Sequence, residues 1–313
     1  MSTYVVGVDI GGTTIKFGLF KSNGTLVEKF AIDTDASDSG VKLLPDTAKA
    51  ILDKLAERGL TVDALKGVGV GVPGPVDEAG VVLVGVNIGW EKPVAVQETL
   101  EQLLGVPVSV TNDANIAALG EMYLGAAKGA QNAIMYTLGT GVGGGVIVDG
   151  KVINGTRGAG GEIGHLTAVP EGGALCGCGK TGCLETVASA TGIVRLAKDA
   201  LTQSNEASVL RDVADVKAKD VFEAAQKGDK LALAVADKVC FYLGLSAANL
   251  AATTDPEQII FGGGVSNAGD FLLDGIRKHF ETFAFSGVRN TPLVIATLGN
   301  DAGIIGGAYL ASR

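Results

Sequence analysis

The sequence predicts an α/β protein built from two similar halves that face each other across a cleft. Three observations carry that prediction. Strand-like and helix-like hydrophobic periods alternate along the chain. A glycine-rich hairpin opens each half: TYVVGVDIGGTTIKFGLF and AIMYTLGTGVGGGVIV share the order hydrophobic strand, Gly/Thr-rich turn, hydrophobic strand. The length of 313 residues and a hydrophobic content of 47% allow two ordinary domains with sizeable cores and argue against disorder.

The elements follow in order. Residues 4–10 (YVVGVDI), 15–20 (IKFGLF) and 25–32 (TLVEKFAI) read as strands, and the short Gly-rich link makes the first two an antiparallel hairpin. Leu43, Leu44, Ala48, Ile51, Leu52 and Leu55 recur with a helical period over 43–58. A strand follows at 67–73, a helix at 94–104, and a strand at 106–113 that ends in polar residues. The second half opens with strand, turn, strand, turn, strand over 132–153. Helices are predicted at 184–200, 219–226 and 230–252. A strand and glycine turn come next at 257–266, then a helix at 268–283, a strand at 292–297 and a helix at 302–311. No low-complexity linker separates the halves, so the hinge is placed near 113–118 and again near 298–303. The expected division is a small α/β domain of 1–115 plus 300–313 and a large one of 116–299.

A net charge of −9 argues against a general nucleic-acid partner, because neutralising phosphates dominates such binding. No uninterrupted apolar run reaches the roughly eighteen residues of a membrane helix. The N-terminal MSTYVVGVDIGG lacks a basic region and is broken by Asp9, unlike a signal peptide. The expectation is a cytoplasmic protein with no membrane partner.

Glycine is 47 of the residues, about twice the usual share, and is clustered in loops. In DIGGTTIK, Gly11 and Gly12 would let the backbone approach a phosphate. Thr13 and Thr14 offer donors, Lys16 a positive charge, and Asp9 a carboxylate suited to Mg²⁺ through water. A plain hairpin with a glycine turn fits that segment equally well. In LGTGVGGG, Thr140 and Gly141 occupy the equivalent turn of the second half. In FGGGVS, Gly263 and Gly264 lie between a strand and a helix, a common nucleotide position.

Residues 160–185 concentrate rare side chains. Cys176, Cys178 and Cys183 have C-x-C-x4-C spacing, and His165 precedes them by eleven residues. In a chain without a disulfide framework this set fits four-coordinate structural Zn²⁺. The other histidine, His279, belongs to a helical run and is expected at the surface. Cys240 is expected as a buried small hydrophobe, and Trp90 as a core residue.

DIGGTTIK, LGTGVGGGVIVDGKVINGTRGAGGEIGH and CGCGKTGCLE together resemble the ROK family of sugar kinases and repressors, over essentially the whole chain. That resemblance implies a two-domain actin-like ATPase (ribonuclease H-like) fold with a cleft between the domains. It also implies a hexose kinase using ATP and Mg²⁺, with glucose as the leading substrate and a homodimer or homotetramer as the assembly. Mannose, fructose, allose and N-acetylmannosamine stay open as substrates, and polyphosphate as donor. A sugar-responsive regulator of the same family is the reading from another class; the absence of room for a DNA-binding module before Tyr4 disfavours it. The resemblance assigns the general base to Asp113, which alone reads more simply as a helix cap. It makes Asn87, Asn112, Asp113, Glu162, His165 and Glu185 the hexose contacts.

Overall fold

The structure, a computed structural model, describes residues 4–313. The first half contains β1 (Tyr4–Ile10), β2 (Thr14–Lys21), β3 (Leu26–Asp33), the irregular turn α1 (Ser37–Gly40), α2 (Leu43–Glu57) and β4 (Leu65–Val72). It continues through β5 (Val81–Val82), β6 (Val94–Ala95), α3 (Val96–Leu104) and β7 (Val108–Asn112). Helix α4 (Asp113–Leu124) leads into β8 (Ala133–Leu138), β9 (Val142–Val148) and β10 (Lys151–Val152). Helices α5 (Glu185–Ala188), α6 (Ala190–Gln203), α7 (Ala218–Gln226) and α8 (Lys230–Thr254) precede β11 (Gln258–Gly262). Then come α9 (Asp270–Phe283), β12 (Leu293–Ile295) and α10 (Ala302–Ser312).

The two main sheets repeat one topology. Their strand orders are β3-β2-β1-β4-β7 and β10-β9-β8-β11-β12. In each, the first three strands pair antiparallel and the last two join in parallel. The two hairpins matched in the sequence are therefore the same element in each half. Parallel pairing brings the C-terminal ends of β1, β4 and β7 side by side, with Asp9 opposite Gly71 and Val72 opposite Asn112. In α/β sheets that edge is where ligands bind.

Each sheet has its own core, one around Val8, Phe17, Leu55 and Val70, the other around Tyr136, Val239, Leu243 and Phe261. The crossings between halves are α4 and α10. Helix α10 packs on β1, β4 and α4, and glycines set how closely. A side chain on Gly306 would overlap the Ile116 carbonyl oxygen, one on Gly120 that of Ala302, and one on Gly7 that of Ile304.

Several expectations change. The helix expected at 184–200 is two helices, because Ser189 is extended (φ −75, ψ 163) and its side chain caps Gly192 N. The strand and glycine turn expected at 257–266 are present: β11 ends at Gly262, and Gly263 turns at φ +84 into a 3-10 segment. The short β5–β6 pair is too brief to leave a periodic signal. Helix α8 is long and apolar enough by composition to cross a membrane. However, it carries Asp237 and Lys238, and its apolar face from Leu231 to Ala251 is buried in the second core. His279 is not a surface residue: its side chain is 13% exposed, edge-on to Phe241 and paired with Asp237 at 3.0 Å. Trp90 and Cys240 are buried, as expected.

Candidate active site

A cavity of about 770 Å³ opens between the two sheets. Asp9, Lys16, Asn87, Asn112 and Asp113 line it from the first half. Gly141, Glu162, His165, Glu185 and Gly263 line it from the second. Residues spread over more than 250 positions of sequence thus converge on one volume.

Asp113 stands where β7 becomes α4. Its neighbour Asn112 is the cap: extended at φ −67, ψ 155, its side-chain oxygen accepts from Ala114 N (2.9 Å) and Asn115 N (3.0 Å). With that oxygen used, Asn112 has its NH₂ left for a ligand. Asp113 Oδ1 accepts one further bond from Ala114 N at 2.8 Å, so its second oxygen is left to the cleft. Enclosure between the halves pushes its carboxyl up to about 6, with Asp9 and Glu162 adding like-charge repulsion. Asp113 is nonetheless exposed at the cleft mouth, and water reaching it there moderates that shift. Burial also raises Asp9, against the opposing pull of Lys16 at 3.9 Å.

Glu185 joins the cysteine-rich segment to the second glycine turn. Its Oε2 accepts from Val142 N at 3.0 Å, and a side chain on Gly141 would collide with it. Its Oε1 lies 3.6 Å from Cys176 Sγ. The four ligand atoms of His165, Cys176, Cys178 and Cys183 lie within 4.8 Å of one another. His165 Nδ1 is 3.6 Å from Cys176 Sγ, and Cys178 and Cys183 sulfurs are 3.6 Å apart. Two ligands about 2.3 Å from a tetrahedral zinc stand about 3.8 Å apart, so the donor set fits that ion. The other ring nitrogen, His165 Nε2, faces Glu162 Oε2 at 4.0 Å.

The remaining expected residues fall close by but outside the cavity lining. Gly11, Gly12, Thr13 and Thr14 form the β1–β2 turn, closed by Gly11 N to Thr14 O at 3.0 Å, and Gly12 abuts the Asn87 carbonyl. Thr140 belongs to the β8–β9 turn, and its carbonyl accepts from Thr191 Oγ1. Gly264 lines a second cavity of about 520 Å³ with Ala190, Ala218, Phe222, Gln226 and Val265. Gly139 lines both cavities. Sequence reasoning missed that pocket, and it missed Pro73–Pro75 and Asn300–Gly303 in the cleft. The Pro-Gly-Pro turn at the end of a parallel strand was a readable signal, of the kind used for Gly263. The pocket was not readable, because its walls come from α6, α7 and the turn after β11.

Comparison with known proteins agrees with this geometry. The ROK family model matches residues 5–313. A glucokinase of Halalkalibacterium halodurans is 47% identical, over 99% of this chain and 95% of its own. A ROK family glucokinase from Streptomyces griseus, solved with glucose and AMPPNP, is 37% identical with a TM-score of 0.75, covering 98% of both chains. A ROK hexokinase from Thermus thermophilus gives 0.84 at 35% identity, over 98% of this chain and 97% of that one. The fold is the two-domain actin-like ATPase arrangement.

Proposed function

We propose that this chain, which belongs to the ROK family, is a glucokinase that transfers the γ-phosphoryl group of ATP to the 6-hydroxyl of glucose. The observation that carries the reading at the site is Asp113. It is a carboxylate with a raised pKa, aimed into a cleft that also holds hexose-type and phosphate-type contacts.

Phosphoryl transfer needs positioning and charge neutralisation more than covalent chemistry. Asp113 takes the proton of the attacking sugar hydroxyl on its free oxygen. A base near pH 6 is ionised at neutral pH yet basic enough to accept that proton. Asn87, the Asn112 NH₂, Glu162, His165 and Glu185 hold the other hydroxyls. A missing or inverted hydroxyl leaves one of them desolvated and unpaired, which is the source of selectivity.

The triphosphate lies between the two glycine turns, Gly11–Thr14 with Lys16 on one side and Thr140–Gly141 on the other. Gly263 and Gly264 lead its nucleoside into the 520 Å³ cavity, whose Ala218, Phe222 and Val265 suit a flat base. Asp9, Asp113, Glu162 and Glu185 make the cleft acidic, and Lys16 is the one lysine or arginine lining it among the described residues. A triphosphate therefore needs a counter-ion, and Asp9 would hold Mg²⁺ through water. Zn²⁺ on His165, Cys176, Cys178 and Cys183 would be structural, its four protein ligands leaving no open position. It would fix the His165 ring so that Nε2–H faces Glu162 and the sugar. Elemental analysis of protein purified without chelator is expected to find one zinc per chain; none would remove this role.

Initial rates across glucose, mannose, fructose, allose and N-acetylmannosamine, with ATP or polyphosphate as donor, test the assignment. The highest kcat/KM is expected for glucose with ATP. A higher value for another hexose moves the substrate, and transfer to none of them refutes the function.

A further inference from the structure

The mechanism leaves one buried carboxylate unused. Glu121, on α4, is 0% exposed. Its Oε1 accepts from Thr297 N (2.9 Å) and Leu298 N (2.8 Å). Its Oε2 accepts from Ala126 N (2.7 Å) and from the Thr297 amide and hydroxyl at 3.1 and 3.3 Å. Burying a carboxylate is expensive unless its oxygens are fully hydrogen-bonded. Here every named donor comes from two places, the end of α4 and the segment entering α10.

Those two places are the two crossings between the halves. Glu121 lies eight residues, about 12 Å of rigid helix, beyond Asp113. Thr297 and Leu298 run directly into Gly299–Gly303, of which Gly299, Asn300, Ala302 and Gly303 line the cleft. Gly303 lies so close to Asp9 that a side chain there would meet its carboxyl group.

We propose that Glu121 is a positioning residue for phosphoryl transfer: it clamps the two crossings together and holds Gly299–Gly303 in register with Asp9 and Asp113. This rests on the glucokinase reading above. Glu121 touches neither sugar contact nor metal ligand, so its influence falls on alignment of the donor and not on hexose affinity.

Glu121→Gln keeps the shape and turns an NH₂ toward amide donors. Wild type and variant are compared for kcat, KM for ATP, and the glucose Kd measured calorimetrically without nucleotide. The expected result is kcat about ten- to a hundred-fold lower, a raised KM for ATP, and an unchanged glucose Kd. Glu257→Gln is the control. Glu257 also caps two backbone amides, Gln131 N at 2.7 Å and Asn132 N at 3.0 Å, but on the exterior. It should leave kcat unchanged. Near-normal kcat in Glu121→Gln, or loss of kcat and glucose affinity in the same proportion, overturns the proposal.

Amide exchange in the wild type gives a second reading that survives a variant unable to fold. The Thr297 and Leu298 amides should exchange as slowly as the sheet amide of Ala296, bonded to Phe261 O; rapid exchange overturns the clamp. Wild-type protein that phosphorylates no glucose removes the parent reading, while the amide exchange still decides the clamp.

Discussion

Asp113 works against the stability of the fold that holds it. A carboxyl whose pKa rises from 3.8 to about 6 on folding binds its proton more tightly in the folded state. Stability therefore falls as pH rises through the window between those values, and the ionised group opposes folding at neutral pH. Asp113→Asn removes that opposition while keeping the shape. Its Tm at pH 7 should equal or exceed the wild-type value, with the difference vanishing near pH 4; scanning calorimetry at both pH values checks this. A lower Tm at pH 7 would mean that the ionised carboxylate stabilises the fold instead of opposing it. From the sequence the cap was the simpler reading, because Asp and Asn both cap helices. What separated them is geometry: Asn112 supplies the cap and Asp113 follows it into the first turn. The clustering of His165, Cys176, Cys178 and Cys183 was legible because C-x-C-x4-C brings the cysteines together locally. A double role for His165, one ring nitrogen toward the cysteines and the other toward the sugar side, was also legible, because His165 sits between the cysteine cluster and Glu162 in sequence; the distances of 3.6 Å to Cys176 and 4.0 Å to Glu162 needed the fold.

At the scale of elements, the two glycine hairpins were readable because strand, turn and strand are adjacent in sequence. The α4–α10 crossing was not. Gly120 and Gly306 sit inside helical patterns where glycine is ordinarily a weak point, about 1 kcal/mol worse than alanine. Their partners, Ala302 and Ile116, lie on the other helix. The crossing reverses the usual sign of a Gly→Ala change. Gly306→Ala should destabilise the protein by about 2 kcal/mol through overpacking against the Ile116 carbonyl. Urea unfolding measures it. A stabilised variant would show that the helices do not meet this closely.

At the scale of the whole molecule, one topology is used twice, and each copy presents the ends of its parallel strands to the same cleft. The order of elements along the chain and the repeated hairpins followed from periodicity and turn signals; the strand orders within the sheets came from the fold. The second cavity and the Glu121 contacts did not, because they join segments as much as 177 residues apart. Duplication also gives the site its division of labour. The first half brings Asp113 and Asp9 to the cleft, the second brings Glu162, Glu185 and the Cys–His cluster, and two helical crossings join them. Closure of such a cleft would exclude water and complete the site.

The most direct test of this account is the rate of glucose 6-phosphate formation from ATP by wild type and Asp113→Asn, measured side by side from about pH 5 to 8. The wild-type kcat/KM should fall on the acid side with an apparent pKa near 6, as Asp113 takes up its proton. The variant should bind glucose and turn over at least about a thousand-fold more slowly at every pH. Near-normal turnover by the variant, or a wild-type profile flat through pH 6, would contradict it.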